Sequence, residues 1–385
     1  MVVLHIMKIA INVSREYLGG ITASNLSLVK HLYGQDIQTV AIEINARRVM
    51  KSAVIFRQLD PTLFDHNIIN IHPDTLKNIL KKSSTLQEME AHFSEPINDV
   101  MSVLKETKPD VILISGTYYI PWIISVAAKK LNIPMVLWYS GILTKEVEGY
   151  PEKERKLFSA MELSIIKRAK KIIFPSKLCK NTVEELFHKH LTAKTYVIPN
   201  AVNRDFLNDV SVDFSVSRRI AGVGRYTPIK NFDTFFEIHK RLLKEKWEHE
   251  CSFVSEVDKQ VFKKIPKTIN VLPPMNTFGI KKFYLSQGLI VSPSHFETFG
   301  NVPMEAVCLG IPVLVNETMG CAEVLQKVGL SNMVIPFENT SLVASRIKEL
   351  CGQSILPKQI NALRKLLDPE LINEQVKSVI ISALR

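Results

Sequence analysis

Short apolar runs alternate with longer amphipathic segments along nearly the whole chain. Within these runs polar and apolar positions do not alternate, which is typical of parallel strands that are buried on both faces. Because helical patterns separate successive runs, the sequence predicts an α/β fold in which helices cover parallel sheets. In the first half the predicted strands are KIAINV, TVAIEI, VILIS, MVLWY, KIIFPS and TYVIP, and in the second half they are IAGVG, CSFVS, INVLP, GLIVSP, PVLVN and MVIPF.

A polar and weakly periodic segment interrupts this pattern near the middle of the chain. A chain of 385 residues is too long for one ordinary core, so two domains are expected. We predict two Rossmann-like domains, residues 1–199 and 218–365, joined by a linker over 200–217. The last segment, residues 366–385, starts with acidic residues and ends with basic ones, which suits a terminal helix.

The chain is basic, with a formal net charge of +11 and a pI of about 9.3. This balance favours anionic partners such as nucleotides, nucleic acids or an anionic membrane surface. The densest cluster is KRAKK at 167–171, at the predicted end of a helix, where cations also stabilise the helix dipole. An exposed helix end and a membrane contact therefore both remain open. Nucleic acid is not an expected partner, because no basic motif with interleaved aromatic residues occurs.

Several features favour a cytoplasmic protein. The five cysteines are scattered without CxxC spacing, which indicates buried thiols in a reducing compartment. The uncharged stretch 111–128 is interrupted by Gly116 and Thr117, and Pro121 suits a helix start, so strand, turn and helix explain it better than a membrane span. The opening MVVLHIMKIAINV lacks a cleavage site and is interpreted as a buried strand. We expect at most peripheral contact with the inner face of a membrane.

Two glycine- or cation-bearing loops are candidates for phosphate contact. The pair Gly19–Gly20 follows the first predicted strand and opens a helix, where backbone N–H groups can approach a phosphate. A Gly-Gly turn before a helix is also common without a ligand. Arg225 and Lys230 lie in the loop after the first strand of the second half, and a guanidinium with an ammonium suits a diphosphate. Two solvated surface cations are the alternative.

The third candidate is SHFETFGNVPMEAVCLGIPVLV at 294–315, in which Glu297 and Glu305 are separated by seven residues. Asn301 is predicted to be the N-cap of a short helix, which places the backbone N–H groups of Gly300 and Asn301 at its positive end. A carboxylate can accept hydrogen bonds from two neighbouring hydroxyls, so Glu305 suits a ribose and Glu297 a sugar ring. The alternatives are a dipole-stabilising Glu305 and a surface charge at Glu297.

The same segment resembles the E-x7-E signature of retaining family-4 glycosyltransferases of the GT-B fold. Other motifs are similar to those of the family and follow in the matching order, namely GGITASNLSLVKHL, IPNAVNRDF, GRYTPIKNFD and GCAEVL. The resemblance covers nearly the whole chain. It implies two Rossmann-like domains that face a central cleft, with the C-terminal helix packing back on the N-terminal domain.

The resemblance also assigns roles in binding a nucleotide-diphosphate sugar, with a UDP- or GDP-sugar expected. It implies that Arg225 and Lys230 hold the diphosphate and stabilise the leaving nucleotide. Glu305 would bind the ribose, and Glu297 would face the hydroxyls of the donor sugar. The backbone of Phe299, Gly300 and Asn301, the Gly19–Gly20 loop and the base-binding loop that starts at Leu272 would complete the donor site.

The implied reaction is transfer of a sugar with retained anomeric configuration, to a glycan, lipid-linked or small-molecule acceptor in cell-envelope or surface polysaccharide synthesis. No cofactor and no metal are expected, since no DxD motif occurs. Many family members carry a histidine after the fourth or fifth strand, where this chain has Tyr139, Ser140 and Gly141. An inactive nucleotide-sugar-binding partner subunit and a GT-B-fold nucleotide-sugar epimerase therefore remain alternatives.

Overall fold

The computed structural model describes residues 6–13, 20–45, 65–70, 79, 81–188, 191, 194–208 and 218–385. These residues form two compact units. The first consists of Met1–Pro175, Lys180–Ile198 and Ile372–Arg385, and the second of Ser176–Cys179 and Pro199–Leu371. The short segment Ser176–Cys179 thus groups with the second unit, although the expected boundary at residue 199 assigns it to the first.

The described part of the first unit is built on a seven-stranded parallel sheet in the order β3-β2-β1-β4-β5-β6-β7. The order reverses between β1 and β4, as in doubly wound folds. Its strands are β1 Lys8–Val13, β2 Gln38–Asn45, β3 Asp65–Asn70, β4 Val111–Ser115, β5 Met135–Trp138, β6 Lys171–Phe174 and β7 Thr195–Val197.

Helices lie between most of these strands of the first unit, and residues 46–64, between β2 and β3, are outside the described residues. The helices are α1 Gly20–Tyr33, α2 Leu86–His92, α3 Ser94–Thr107, α4 Tyr119–Lys130, α5 Leu143–Glu146, α6 Glu152–Arg168 and α7 Lys177–Leu186. The uncharged stretch 111–128 is resolved into β4, a turn at Gly116 and α4, which confirms that part of the prediction. Among the described residues, no helix combines the length and the apolar character needed to cross a membrane.

The second unit contains a six-stranded parallel sheet in the order β10-β9-β8-β11-β12-β13. Its strands are β8 Arg219–Val223, β9 Glu250–Val254, β10 Ile269–Leu272, β11 Leu289–Ser292, β12 Val313–Asn316 and β13 Val334–Ile335. Its helices are α8 Phe232–Lys244, α9 Lys259–Phe262, α10 Thr277–Leu285, α11 Asn301–Cys308, α12 Cys321–Lys327, α13 Thr340–Leu350 and α14 Pro357–Leu366. Here the strand order reverses between β8 and β11.

The predicted fold class, α/β with two doubly wound parallel sheets, is confirmed. The central strands form the middle of each core, since every residue of β4, β11 and β12 is buried. This burial on both faces explains why these strands are apolar runs without alternation.

The last helix, α15 Pro369–Ser382, groups with the first unit from Ile372 onward. Asn373 donates a hydrogen bond to the hydroxyl of Ser27 in α1 over 2.9 Å, and Glu374 contacts His31 over 3.2 Å. These contacts agree with the expectation that the C-terminal helix packs on the first domain.

Candidate functional site

The candidate residues of the second unit meet where the strand order of its sheet reverses. Strands β8 and β11 are neighbours, with Leu289 opposite Ile220 and Ile290 opposite Ala221. One loop leaves the carboxyl end of β8 and carries Lys230, and another leaves the carboxyl end of β11 and carries Glu297. Ligands of open α/β sheets bind at such a position, because the two loops diverge and leave a crevice between them.

The loop after β8 is fixed by short-range geometry. A 3₁₀ turn, Pro228–Lys230, leads into Asn231, whose φ of 53° places it in the left-handed region just before α8. The Asn231 side chain donates to the carbonyl of Pro293 over 3.1 Å, and the N–H of His295 donates to the carbonyl of Ile229 over 2.9 Å. The two loops are therefore tied together by backbone and amide contacts that do not involve the candidate charges.

Lys230 and Glu297 form an ion pair, with Nζ 2.8 Å from Oε1. The two side chains are 24% and 18% exposed, so the pair is partly removed from solvent. The hydroxyl of Ser294 donates to the same Oε1 atom over 2.7 Å. Two charged residues from different loops thus converge on one point of the crevice, and the second carboxylate oxygen of Glu297 has no partner among these two contacts.

The backbone of Glu297 is held as firmly as its side chain. Its N–H donates to the carbonyl of Thr318 over 3.3 Å, and its carbonyl accepts from the N–H of Gly320 over 2.9 Å. A side chain at Gly320 could not be accommodated, because a Cβ atom would lie 2.2 Å from the carbonyl oxygen of Thr298. The Glu297 loop therefore rests against the turn before α12.

The start of α11 differs from the prediction. Asn301 is the first residue of the helix, and Gly300, with a φ of 111°, occupies the cap position without a side-chain cap. Asn301 is therefore not the N-cap, and its Oδ1 atom accepts instead from the amide of Asn200 over 3.0 Å. A Cβ at Gly300 would lie 2.9 Å from both Cys321 Sγ and Met319 Cε, so only glycine fits. The backbone N–H groups still lie at the positive end of the helix.

Glu305 lies about one turn inside α11 and is half-buried. The hydroxyl of Tyr284, in α10, donates to Glu305 Oε2 over 3.1 Å. Tyr284 is 1% exposed, and burial, followed by the nearby carboxylate of Glu305, raises its pKa well above the ordinary value. The phenol therefore stays protonated and acts as a donor to the carboxylate.

The remaining donor-site candidates differ in how exposed they are and in whether the structure describes them. Arg225 is exposed at the start of the Lys230 loop, and Leu272 ends β10, with its carbonyl accepting from Ser255 N over 3.0 Å. The Phe299 side chain is 1% exposed and belongs to the core, so only its backbone can face a ligand. Gly20 is the first residue of α1 in the first unit, and Gly19 lies outside the described residues.

Sequence reasoning missed Ser294 and Tyr284 as residues of this site. Ser294 had a local signal, since it precedes Glu297 by three residues and lies two residues after the end of β11. Tyr284 had none, because it lies on another helix from Glu305 and the contact depends on how α10 and α11 pack.

The segment Ser176–Cys179, which belongs to the second unit, contains the start of α7 and is fixed by contacts within that unit. Ser176 caps the helix, since its Oγ accepts from Cys179 N over 2.9 Å. The carboxylate of Glu323, in the GCAEVL motif, accepts from the N–H groups of Lys177 and Leu178 over 3.1 and 2.6 Å. Glu323 thus serves as a helix-capping anion in this chain.

In the first unit, a buried carboxylate organises the loops that follow β4 and β5. Glu162 is fully buried and accepts from the hydroxyls of Thr117 and Tyr139 over 3.2 and 2.9 Å. It also accepts from Leu143 N and from both the N–H and the hydroxyl of Thr144. Burial raises its pKa and the hydrogen bonds lower it, with burial the larger effect. The region where the family has a histidine is therefore built around Glu162 and Tyr139.

Within the described ranges, no group of three or more His, Cys, Asp or Glu side chains has an arrangement that could hold a metal ion. Three charges converge at the β8–β11 crevice. They are those of Lys230 and Glu297 and the partial positive charge at the N-terminus of α11. This arrangement can bind a ligand that carries both negative charge and hydroxyl groups.

Comparisons with known proteins agree with this architecture. A family model described as Glycosyltransferase Family 4 matches residues 19–206, and one described as Glycosyl transferases group 1 matches residues 217–353. An uncharacterised glycosyltransferase from Methanocaldococcus jannaschii is 23% identical over 357 residues, which cover 89% of this chain and 88% of that protein.

Two solved structures share the fold at low sequence identity. Sucrose-phosphate synthase from Thermosynechococcus elongatus has a TM-score of 0.72 at 14% identity and covers 98% of both chains. A trehalose-6-phosphate structure from E. coli, bound with UDP-2-fluoro glucose, has a TM-score of 0.70 at 11% identity and covers 98% of this chain and 99% of that one. The two family models together cover most of the chain and show that it belongs to the family-4 glycosyltransferases, and the solved structures show that it has the GT-B fold.

Proposed function

We propose that this glycosyltransferase moves a sugar from a nucleotide-diphosphate sugar to an acceptor with retention of anomeric configuration. The observation that carries the proposal is the ion pair of Lys230 and Glu297 at the switch point of the second sheet. It brings a cation for phosphate and a carboxylate for sugar hydroxyls within 2.8 Å of each other. A sugar attached to a diphosphate needs these two groups side by side.

The donor is proposed to span the crevice in the second unit. Arg225 and Lys230 bind the diphosphate, assisted by backbone N–H groups of Gly300 and Asn301 at the positive end of α11. In the first unit, Gly19 and Gly20 are proposed as further phosphate contacts, since Gly20 is the first residue of α1.

The nucleoside is proposed to lie toward the loop that begins at Leu272. Glu305 binds the ribose hydroxyls, and the base contacts backbone groups from Leu272 to Pro274. Strand β10, which ends at Leu272, belongs to the same parallel sheet as β8, so its carboxyl end lies at the same edge. A UDP-sugar or a GDP-sugar is the proposed donor, and the fold neighbour that is bound with UDP-2-fluoro glucose supports a UDP-sugar.

Glu297 is proposed to bind and orient the sugar and not to act as a nucleophile. Its carboxylate is already engaged by Lys230 and by the Ser294 hydroxyl, and both contacts reduce its nucleophilicity. Retention then follows from departure of the nucleotide and attack by the acceptor on the same face of the sugar. Lys230 and Arg225 stabilise the charge that develops on the leaving diphosphate, which is the role that a divalent metal would otherwise fill. We propose a metal-independent reaction without an organic cofactor.

The acceptor is proposed to be a glycan, a lipid-linked glycan or a small molecule in the synthesis of surface polysaccharide. We place the enzyme in the cytoplasm, with peripheral contact to an anionic membrane through the basic cluster at 167–171. Binding to anionic vesicles should then fall with added salt and with charge reversal at Lys167, Arg168, Lys170 and Lys171. Binding that is indifferent to both would contradict this contact.

The donor site is tested by thermal shift with a panel of UDP-, GDP-, ADP- and TDP-sugars without added metal. One nucleotide family should stabilise the protein, by about 2.7 kcal/mol at about a hundredfold excess over Kd. The stabilisation should be lost in Lys230→Ala and Glu305→Gln. Matched controls are Lys240→Ala and Glu237→Gln, which change the same charges at exposed positions of α8.

The outcomes separate the proposals. Stabilisation that persists in both site variants would mean that these residues do not bind the donor. Donor binding without sugar transfer to any acceptor would instead favour an inactive partner subunit. Once an acceptor is found, NMR of the new glycosidic bond tests retention directly.

A further inference from the structure

A second basic site lies in the first unit, away from the loops that follow β4 and β5. A cavity of about 660 Å³ opens at the amino end of β5, where α4 and α6 both end. Residues after the end of α15 form another wall. The polar part of the cavity's lining includes Ser125, Lys129, Lys167, Arg168 and Lys170. It contains cations and no acidic side chain.

The positive charge of the cavity exceeds what the helix ends require. Cations at helix C-termini stabilise the helix dipole, which is the simplest explanation for Lys129, Lys167 and Lys170. Three helices end at the cavity, and each C-terminus is equivalent to about −0.5 charge, or about −1.5 together. The four cations of the lining exceed this, so a net positive charge of about 2.5 remains.

Arg168 is the most constrained of these cations. It is half-buried, and burial lowers its pKa. Its Nη1 donates to the hydroxyl of Ser125 over 2.9 Å, and the guanidinium lies 5.9 Å from the centre of the Trp122 ring. Ser125 in turn donates to the carbonyl of Trp122 over 2.7 Å, so the guanidinium is held at a fixed position.

No carboxylate of the described chain forms an ion pair with Arg168. The acidic residue that acts on it electrostatically, Glu90, is engaged by Lys130, with Nζ 2.8 Å from Oε1. A partly desolvated guanidinium without a paired anion is costly unless a ligand provides one. A rigid guanidinium at the base and three flexible ammonium groups at the rim are also the side chains that proteins use for phosphate.

We propose that this cavity binds a phosphate group, with Arg168 as the fixed contact and Lys129, Lys167 and Lys170 as rim contacts. The phosphate belongs either to a small soluble molecule or to the headgroup of a lipid. The inference does not rest on the donor site, which lies in the other unit. It makes the cluster at 167–171 a site with a defined ligand, beyond the general basic surface that the net charge implies.

Two probes distinguish the sources. Pyrophosphate binding is measured by calorimetry, and vesicle binding is measured by sedimentation with phosphatidylglycerol in phosphatidylcholine. Arg168→Gln and the rim variant Lys129→Ser/Lys167→Ser should each lower the affinity for the probe that binds, by about ten- to hundredfold. The rim variant alters only exposed side chains and should fold normally. The control, Lys82→Ser/Lys105→Ser, removes the same charge from exposed positions of the same unit.

Every outcome decides the proposal. Pyrophosphate binding that both site variants weaken supports it with a soluble ligand. Binding to vesicles alone, weakened in the same way, supports it with a lipid headgroup. Binding that neither site variant weakens would place the probe elsewhere, as at the donor site, and would overturn the proposal. Binding that the control variant weakens equally would mean that the charge acts diffusely, and would also overturn it. Failure of the wild-type protein to bind either probe would also overturn it.

Discussion

At the scale of single residues, the candidate donor site depends on hydrogen bonds that fix carboxylates before any ligand binds. The hydroxyl of Ser294 fixes Glu297, and the hydroxyl of Tyr284 fixes Glu305. Neither donor is charged, so each orients its carboxylate without neutralising it. A carboxylate held in this way loses less side-chain freedom when it accepts hydrogen bonds from a ligand, which favours binding.

Replacing Tyr284 by phenylalanine tests this role, given the proposed ribose contact of Glu305. Loss of one hydrogen bond of about 1 kcal/mol should raise KM for the donor about three- to tenfold and leave kcat nearly unchanged. The increase should disappear with a donor that lacks the 2′-hydroxyl, if that hydroxyl is the one bound. The control is Tyr33→Phe, at an exposed position of α1. A change in kcat alone would assign Tyr284 a structural role.

At the scale of secondary structure elements, two histidine side chains and one threonine side chain join α8 to the segments before β9 and β10. His239 Nδ1 and His249 Nε2 are 2.8 Å apart, and His239 Nε2 is 2.8 Å from the Thr268 hydroxyl. His249 Nδ1 lies 2.7 Å from the carbonyl of Trp247, which can only accept, so this nitrogen carries the hydrogen. The chain of contacts is therefore satisfied with both rings neutral.

This neutral pair predicts loss of stability in mild acid. Burial, and then the neighbouring His249, lower the pKa of His239 from 6.5 to about 4. The unfolded chain therefore binds a proton more readily, so the contribution to stability is present above pH 6.5 and is lost as the pH falls toward 4. Between pH 7 and 5 the loss should be about 2 kcal/mol.

The measurement is urea unfolding of the second unit at several pH values, on the wild type and on His239→Gln. The glutamine can still donate to His249 and accept from Thr268, but it does not titrate. Its stability should depend less on pH over this interval. Equal pH dependence in the two proteins would contradict the assignment to His239.

The same scale shows which elements the sequence could predict. The central strands β4, β11 and β12 could be predicted because both of their faces are buried, so their apolar composition carries the signal. Strand β3, with the sequence DHNIIN, was not predicted, because it lies at the edge of the sheet and is mostly polar. An edge strand pairs with one neighbour only and can expose polar side chains, so its sequence need not contain the apolar run that identifies a central strand.

The sequence predicted candidate site residues where they lie in short motifs that resemble those of the family, but it did not predict contacts between distant segments. Lys230 and Glu297 were recognised from their motifs, yet their ion pair depends on the adjacency of β8 and β11. The contact of Tyr284 with Glu305 depends on helix packing, which no local pattern encodes. The cap at Gly300 was misassigned to Asn301, because the left-handed backbone needed there favours glycine over the usual side-chain cap.

At the scale of the whole molecule, the order of the chain and the division into units do not coincide. The last residues, from Ile372, belong to the first unit, although the chain has just completed the second. Within the first unit α15 is anchored by polar contacts to α1, including those of Asn373 and Glu374. Hydrogen bonds from Lys377, Gln35 and His31 lower the pKa of Glu374 to about 2, so it stays ionised in this contact.

The apolar face of α15 should therefore stabilise the first unit and leave the second largely unaffected. Ile380 is fully buried, and truncation to alanine should cost about 2–5 kcal/mol through lost burial and a residual cavity. Because the helix packs against α1, hydrogen exchange should accelerate in α1 and β1, while β8 and β11 should keep their protection. Leu384→Ala, at a position that is 42% exposed, is the control for side-chain size. Equal acceleration in both units would mean that α15 couples them energetically, and no acceleration in either would mean that the helix contributes little to the first unit's stability.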